Sequence, residues 1–231
     1  MIMSRVSDRL NRLSYSQTFV MSNKARDMKA AGIDVISLTL GEPDFDVPDN
    51  IKKAAFDAIN ENYSHYSPVP GFLELRKAIV NKLKRDNNLD YKPTQICVAN
   101  GAKQNIFNVL AALVNEGDEV ILPAPYWVSY DEMVKINGGV SVFIETNIDT
   151  EFKMTAEQLE AAITPKTKAV LYSSPCNPSG SYYTREELEK IANVMAKYPD
   201  VVIISDEIYE FINYDGEHVS IAEFPQVFNQ T

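Results

Sequence analysis

The chain has few of the features that would set it outside the ordinary globular class. Only two cysteines occur in 231 residues, Cys97 and Cys176, with no CxxC and no zinc-ligand spacing. No disulfide framework or metal site is indicated, and a reducing cytoplasm is the expected setting. No apolar run approaches the ~20 residues of a membrane span. The stretch from Met1 to Leu13 is polar, carries Arg5, Arg9 and Arg12, and lacks the apolar core of a signal peptide. Basic residues are in deficit, 22 lysines and arginines against 32 acids, for a net charge of −10. That excludes the basic footprint of a nucleic-acid binder and attraction to anionic membranes. There is one tryptophan, and beyond Lys197 there is neither lysine nor arginine. Repeats and low-complexity linkers are absent too.

What is present is a chain long enough for a large core, 45% hydrophobic and 23% charged. Strand-like and helix-like segments alternate. Helices are expected over 16–31, 49–62, 72–87, 127–137, 155–163 and 184–197. Another begins after Asn100, with Ile106, Val109, Leu110, Leu113 and Val114 on one face. Strands are expected over 35–38, 96–99, 119–122, 140–145, 168–173 and 201–205. Strands joined by helical crossovers predict a mostly parallel sheet covered by helices on both faces.

In such sheets ligands bind just beyond the carboxyl ends of the strands, and the chemistry-bearing residues collect there. Gly101-Ala102-Lys103 follows one strand and opens a helix, whose free N–H groups and dipole suit a phosphate; strand–Gly–helix is also common packing grammar. Pro123-Ala124-Pro125-Tyr126-Trp127 follows the next strand as a stiff turn with a candidate cis bond at Ala124–Pro125. It could hold the indole of Trp127 against a planar ring, or Trp127 could be a core aromatic. Asn177, in Ser174-Pro175-Cys176-Asn177-Pro178-Ser179-Gly180, can donate to a phenolic oxygen, or simply form a turn. Asp206 ends an apolar strand, where its carboxylate could keep a pyridine nitrogen protonated and make the ring an electron sink; a helix cap is the plainer alternative. Tyr209 lies three residues on, within reach of the same ligand.

These strings together resemble the class I aminotransferases, the aspartate aminotransferase family of fold type I pyridoxal-phosphate enzymes. The resemblance runs from about Val6 to the last residue. It rests on Leu40-Gly41-Glu42-Pro43-Asp44-Phe45, Tyr66-Ser67-Pro68-Val69-Pro70-Gly71, Asn100-Gly101-Ala102-Lys103-Gln104, Pro125-Tyr126-Trp127, the Asn177 segment and Ser205-Asp206-Glu207-Ile208-Tyr209. It implies an aspartate-aminotransferase-like α/β fold, with residues 1–45 contributing to a small domain and 46–231 forming an incomplete large domain that binds pyridoxal 5'-phosphate. Gly101, Ala102 and Lys103 would cradle the phosphate, and Trp127 would stack on the ring. Asn177 and Tyr209 would hold the ring hydroxyl oxygen, and Asp206 the ring nitrogen. Tyr66 would reach the phosphate in the other subunit of a homodimer. Gly41, Trp127 and Asn177 would meet the substrate, and Asn177–Pro178 would be cis.

The implied activity moves an amino group from an L-amino acid, aspartate or a related one, to a 2-oxo acid. One departure stands out: the family's Schiff-base lysine and its two arginines, one for the phosphate and one for the substrate carboxylate, have no counterpart here. The expectation is therefore an N-terminal part, cut before the last two sheet strands and inactive alone. A non-catalytic cofactor-binding fragment and part of a fold type I C–S lyase are the alternatives. An aminotransferase-like transcription regulator is disfavoured by the acidic charge and the lack of a DNA-binding segment.

Overall fold

The computed structural model describes residues 5–231; the first four residues of the polar N-terminal stretch lie outside them. The described chain divides into two compact units, Ser14–Phe72 and residues 5–13 with Leu73–Thr231. The boundary expected at residue 45 falls inside the first of these.

The larger unit is built on a four-stranded sheet in which every pairing is parallel. Its strands are β1 (Glu119–Ala124), β2 (Val140–Glu145), β3 (Thr167–Ser173) and β4 (Val202–Asp206), in the order β2-β1-β3-β4. Val120 to Pro123 are buried without a break, as expected of a parallel strand covered on both faces. Alternate residues serve opposite sides. Val120, Leu122, Ala169 and Leu171 pack with Ile106 and Leu110 of α4 (Ala102–Leu113) and with Tyr130, Met133 and Val134 of α5 (Ser129–Ile136). Ile121, Val170, Tyr172 and Ile203 pack with Leu159 of α6 (Ala156–Ala162) and with Leu188, Ile191 and Met195 of α7 (Arg185–Met195). Helices cover both faces, as the alternation of segments predicted. Burial of each leucine-sized side chain stabilises this arrangement by about 1.5–3 kcal/mol.

Thr155 and Thr184 start α6 and α7 with capping boxes, each accepting from the N–H three residues on, of Gln158 and Glu187 respectively. Glu187 has a second role. Lys153, only 8% exposed at its side chain, places Nζ 2.7 Å from Oε1 of Glu187 and 2.7 Å from Oε2 of Glu151. Burial alone would raise the Glu187 carboxyl, but Lys153 and the Thr184 N–H hold it below the ordinary carboxylate value. A carboxyl lowered by folding adds stability above its unfolded pKa and loses it as pH falls through the folded one. Glu187→Gln should therefore lower Tm by about 2 °C at neutral pH. The gap should close at acid pH, and a gap independent of pH in thermal melts would refute the pairing.

Two expected strands do not form. Residues 35–38 and 96–99 take no regular secondary structure and enter no ladder among the described residues, because a strand is defined by a neighbour, which local propensity does not supply. On α4, Val109 is 38% exposed, so the apolar face buries Ile106, Leu110 and the following Val114 instead. The remaining helix of the larger unit, α3 (Leu73–Asn87), and the other expected elements form within a few residues of the expected bounds.

The Ser14–Phe72 unit holds α1 (Gln17–Ala30), which stops at Gly32 (φ +81°), and α2 (Asp49–Asn60). Ile51, Phe56 and Ile59 on α2 are exposed.

Candidate active site

The strand order dictates where a crevice opens. From β1 the chain crosses by α5 to β2 on one side, and from β3 it crosses by α7 to β4 on the other. The connections after the adjacent strands β1 and β3 thus diverge, which leaves a cleft at their carboxyl ends. Ser173 pairs with Asp206 in the β3–β4 register, and the Ser174 N–H donates to the Asp206 carbonyl at 3.1 Å. The turn bearing Asn177 therefore starts alongside the end of β4.

Asp206 is the last residue of β4 and is 9% exposed. Its Oδ2 accepts from the Tyr130 hydroxyl at 2.6 Å, and its Oδ1 from the Ile208 N–H at 3.2 Å. A carboxylate has about four acceptor positions, so a buried negative group here can still take another donor. Burial, and then Asp206, push the Tyr130 phenol far above its ordinary value; it stays protonated and donates throughout the working pH range. Trp127 packs edge-on to Tyr130, with ring centroids 5.6 Å apart at 87°. The Lys103 ammonium lies 4.9 Å from the Trp127 ring centroid. Lys103 belongs to the first turn of α4, whose N-cap is Gly101 at φ 86°, ψ 164°. The first N–H groups of a helix have no intrahelical acceptor, so an ammonium, open amides and a helix dipole converge there.

Across the cleft, Asn177 Nδ2 donates to the Tyr209 hydroxyl at 3.4 Å. Both Ala124–Pro125 and Asn177–Pro178 are cis, and so is Ser174–Pro175, which was not expected. A small cavity of about 10 Å³ is bounded by Tyr130, Tyr172, Ser173 and Cys176, among others. It has room for one water at most.

Of the residues expected at the site, the structure brings together Gly101, Ala102, Lys103, Trp127 and Asp206, and pairs Asn177 with Tyr209. Gly41 and Tyr66 belong to the Ser14–Phe72 unit, where both are exposed. Tyr130 escaped sequence reasoning. The signal was there in principle: Trp127 and Tyr130 are three residues apart in a helical segment, which puts them on one face. No group of His, Cys, Asp or Glu able to hold a metal occurs among the described residues. No helix among them is long and apolar enough to cross a membrane.

The family model described as aminotransferase class I and II matches residues 33–227. The chain is 51% identical over 222 residues to an aspartate aminotransferase of Bacillus sp. (strain YM-2), covering 96% of this chain and 56% of that protein. It is 49% identical over 231 residues to a probable aspartate/prephenate aminotransferase of Rhizobium leguminosarum bv. phaseoli, covering 99% of this chain and 58% of that one. Among solved structures, the aspartate aminotransferase from Rhizobium meliloti superposes with a TM-score of 0.95 at 41% identity, over 98% of this chain and 57% of that one. The Thermus thermophilus aspartate aminotransferase with maleate gives 0.91 at 42% identity, over 95% and 57%. The chain thus spans a little over half the length of the relatives it matches. Motifs, sheet order, helix cover and these likenesses agree: the chain belongs to the aminotransferase class I and II family, with the aspartate-aminotransferase fold.

Proposed function

We propose that this protein is the cofactor-holding part of a pyridoxal-phosphate-dependent aminotransferase that moves an amino group from an L-amino acid, aspartate or a related one, to a 2-oxo acid. The observation that carries the reading is the buried Asp206 carboxylate, fixed by the Tyr130 hydroxyl and lying in one contact chain with Trp127 and Lys103. A planar cation with a phosphate arm fits that set: carboxylate for the ring nitrogen, indole for the ring face, ammonium and helix N–H groups for the phosphate. Bound there, pyridoxal phosphate supplies the electron sink for a carbanion.

The chain's own residues do the holding. Asp206 keeps a proton on the ring nitrogen by charge. Tyr130 prevents the carboxylate from turning away. Asn177 and Tyr209 orient toward the ring hydroxyl oxygen, and Trp127 keeps water off one face. Asn177 serves the substrate carboxylate, and Tyr66, fully exposed in its own unit, serves the phosphate in a second copy. The amine near the ring, Lys103, belongs to the phosphate end and is no base for the proton shift at the substrate carbon. The 231 residues accordingly hold the cofactor without bonding to it, and do not transaminate unaided. The unpaired Cys97 and Cys176 suit a reducing cytoplasm.

Trp127 is the one tryptophan in the sequence, so its emission reports the site directly. Titration with pyridoxal phosphate should give a saturable quench that borohydride does not make permanent. The absence of a quench would reject the reading, and a borohydride-fixed adduct would reject non-covalent holding.

A further inference from the structure

Tyr209 is poorly held by its own surroundings. It lies past the end of β4 in a hydrogen-bonded turn, where the Glu210 N–H donates to the Glu207 carbonyl at 3.0 Å and the Ile212 N–H to the Tyr209 carbonyl at 2.8 Å. Its neighbours Ile208 and Phe211 are 61% and 76% exposed, so apolar packing contributes little rigidity. Its link to Asn177 is long, 3.4 Å, and so depends on the turn's orientation.

The next residue is tied elsewhere. Glu210 Oε1 lies 2.5 Å from Lys82 Nζ, and Glu210 Oε2 accepts from Asn87 Nδ2 at 3.0 Å. Lys82 also donates to Asn87 Oδ1 at 2.7 Å, which closes a triangle. Asn87 is 6% exposed and is the last residue of α3, and Lys82 lies 5.2 Å from the Phe211 ring centroid. Every member of the triangle satisfies the other two, and both carboxylate oxygens of Glu210 are engaged within it. On the opposite side of Tyr209, Glu207 Oε1 accepts from Ser205 and Ser220, each at 2.8 Å. The two glutamates of Asp206-Glu207-Ile208-Tyr209-Glu210 thus anchor the turn from outside.

We propose that Glu210, held by Lys82 and Asn87, is a positioning residue that sets Tyr209 for the cofactor. Charge-assisted bonds of low exposure are the stronger kind, and a residue that fixes a binding group acts on affinity without contacting the ligand. The inference rests on the cofactor reading above.

Two measurements test it. In the ligand-free protein, Glu210→Ala and Lys82→Met should each speed amide hydrogen exchange across residues 207–213 by about tenfold, while exchange in β1 and β3 stays unchanged. Glu210→Gln, which keeps an acceptor, should restore most of the protection. In the pyridoxal-phosphate titration read by Trp127, Glu210→Ala should weaken binding about tenfold in the parent but less than twofold in a Tyr209→Phe background, as residues acting through one another are non-additive. Unchanged exchange would overturn the clamp whatever the cofactor does. Faster exchange with an equal loss in both backgrounds would overturn the route through Tyr209. If the parent shows no quench, the cofactor reading falls, taking the role at the cofactor with it, while the exchange comparison still decides whether the clamp exists.

Discussion

Asp206→Ala is expected to weaken pyridoxal-phosphate binding on the order of 100-fold, because in the proposed role it leaves the cationic ring nitrogen without its counter-charge. The same change has a separate structural cost. Tyr130 is 1% exposed and donates its hydroxyl to Asp206 at 2.6 Å; without that acceptor, a buried donor is left unsatisfied at about 1–3 kcal/mol. The two effects can be separated. Adding Tyr130→Phe to Asp206→Ala removes the stranded hydroxyl, so the double variant should regain most of the lost thermal stability. It should not regain affinity, because no carboxylate returns. Trp127 quenching reads the affinity and calorimetry the stability. Affinity within twofold of the parent in Asp206→Ala would refute the ring-nitrogen role. Recovery of affinity in the double variant would show that the single change had only distorted the pocket.

That experiment turns on a residue the sequence did not single out, and the reason is physical. Asp206 was legible because it ends an apolar run, and a charge at that position needs a purpose. Asn177, Trp127 and Gly101 were legible because prolines and a glycine mark rigid turns at strand ends. Tyr130 carries no such mark. It reads as one more aromatic on a helix, and its hydroxyl acquires meaning only when the β3–β4 pairing brings Asp206 beneath α5. The clamp on Glu210 is less visible still, since Lys82 and Glu210 lie 128 residues apart in the chain.

Secondary structure shows the same division. Helices with capping residues and strands packed on both faces were legible locally. The segments 35–38 and 96–99 looked equally strand-like, yet they form no ladder among the described residues, as hydrogen bonding to a neighbour is a property of the whole sheet. Val109 failed for a related reason. Helical periodicity defines a stripe, but the width of the stripe that is covered depends on what lies opposite.

The proposed phosphate end of the site makes a different demand, on backbone rather than side chain. Gly101 sits at φ 86°, ψ 164°, a region essentially reserved for glycine, where another residue stores about 1–3 kcal/mol of strain. A Cβ at Gly101 would meet nothing within 4 Å, so bulk is not the obstacle to Gly101→Ala. The strain relaxes if the peptide rotates, and that rotation would turn the first N–H groups of α4 away from a bound phosphate. Gly101→Ala should therefore act on the phosphate arm alone. Pyridoxal lacks that arm, so its affinity should stay within about twofold while pyridoxal phosphate binds about tenfold more weakly, the size of effect expected from misaligning a helix-terminus anion site. Lys103→Met should narrow the same difference, and its effect should fade with added salt because it acts through an exposed charge; the Gly101→Ala effect, set by geometry, should fade less. Equal weakening of both ligands by Gly101→Ala would mean that the glycine supports the cleft as a whole, and the phosphate would have to be sought elsewhere.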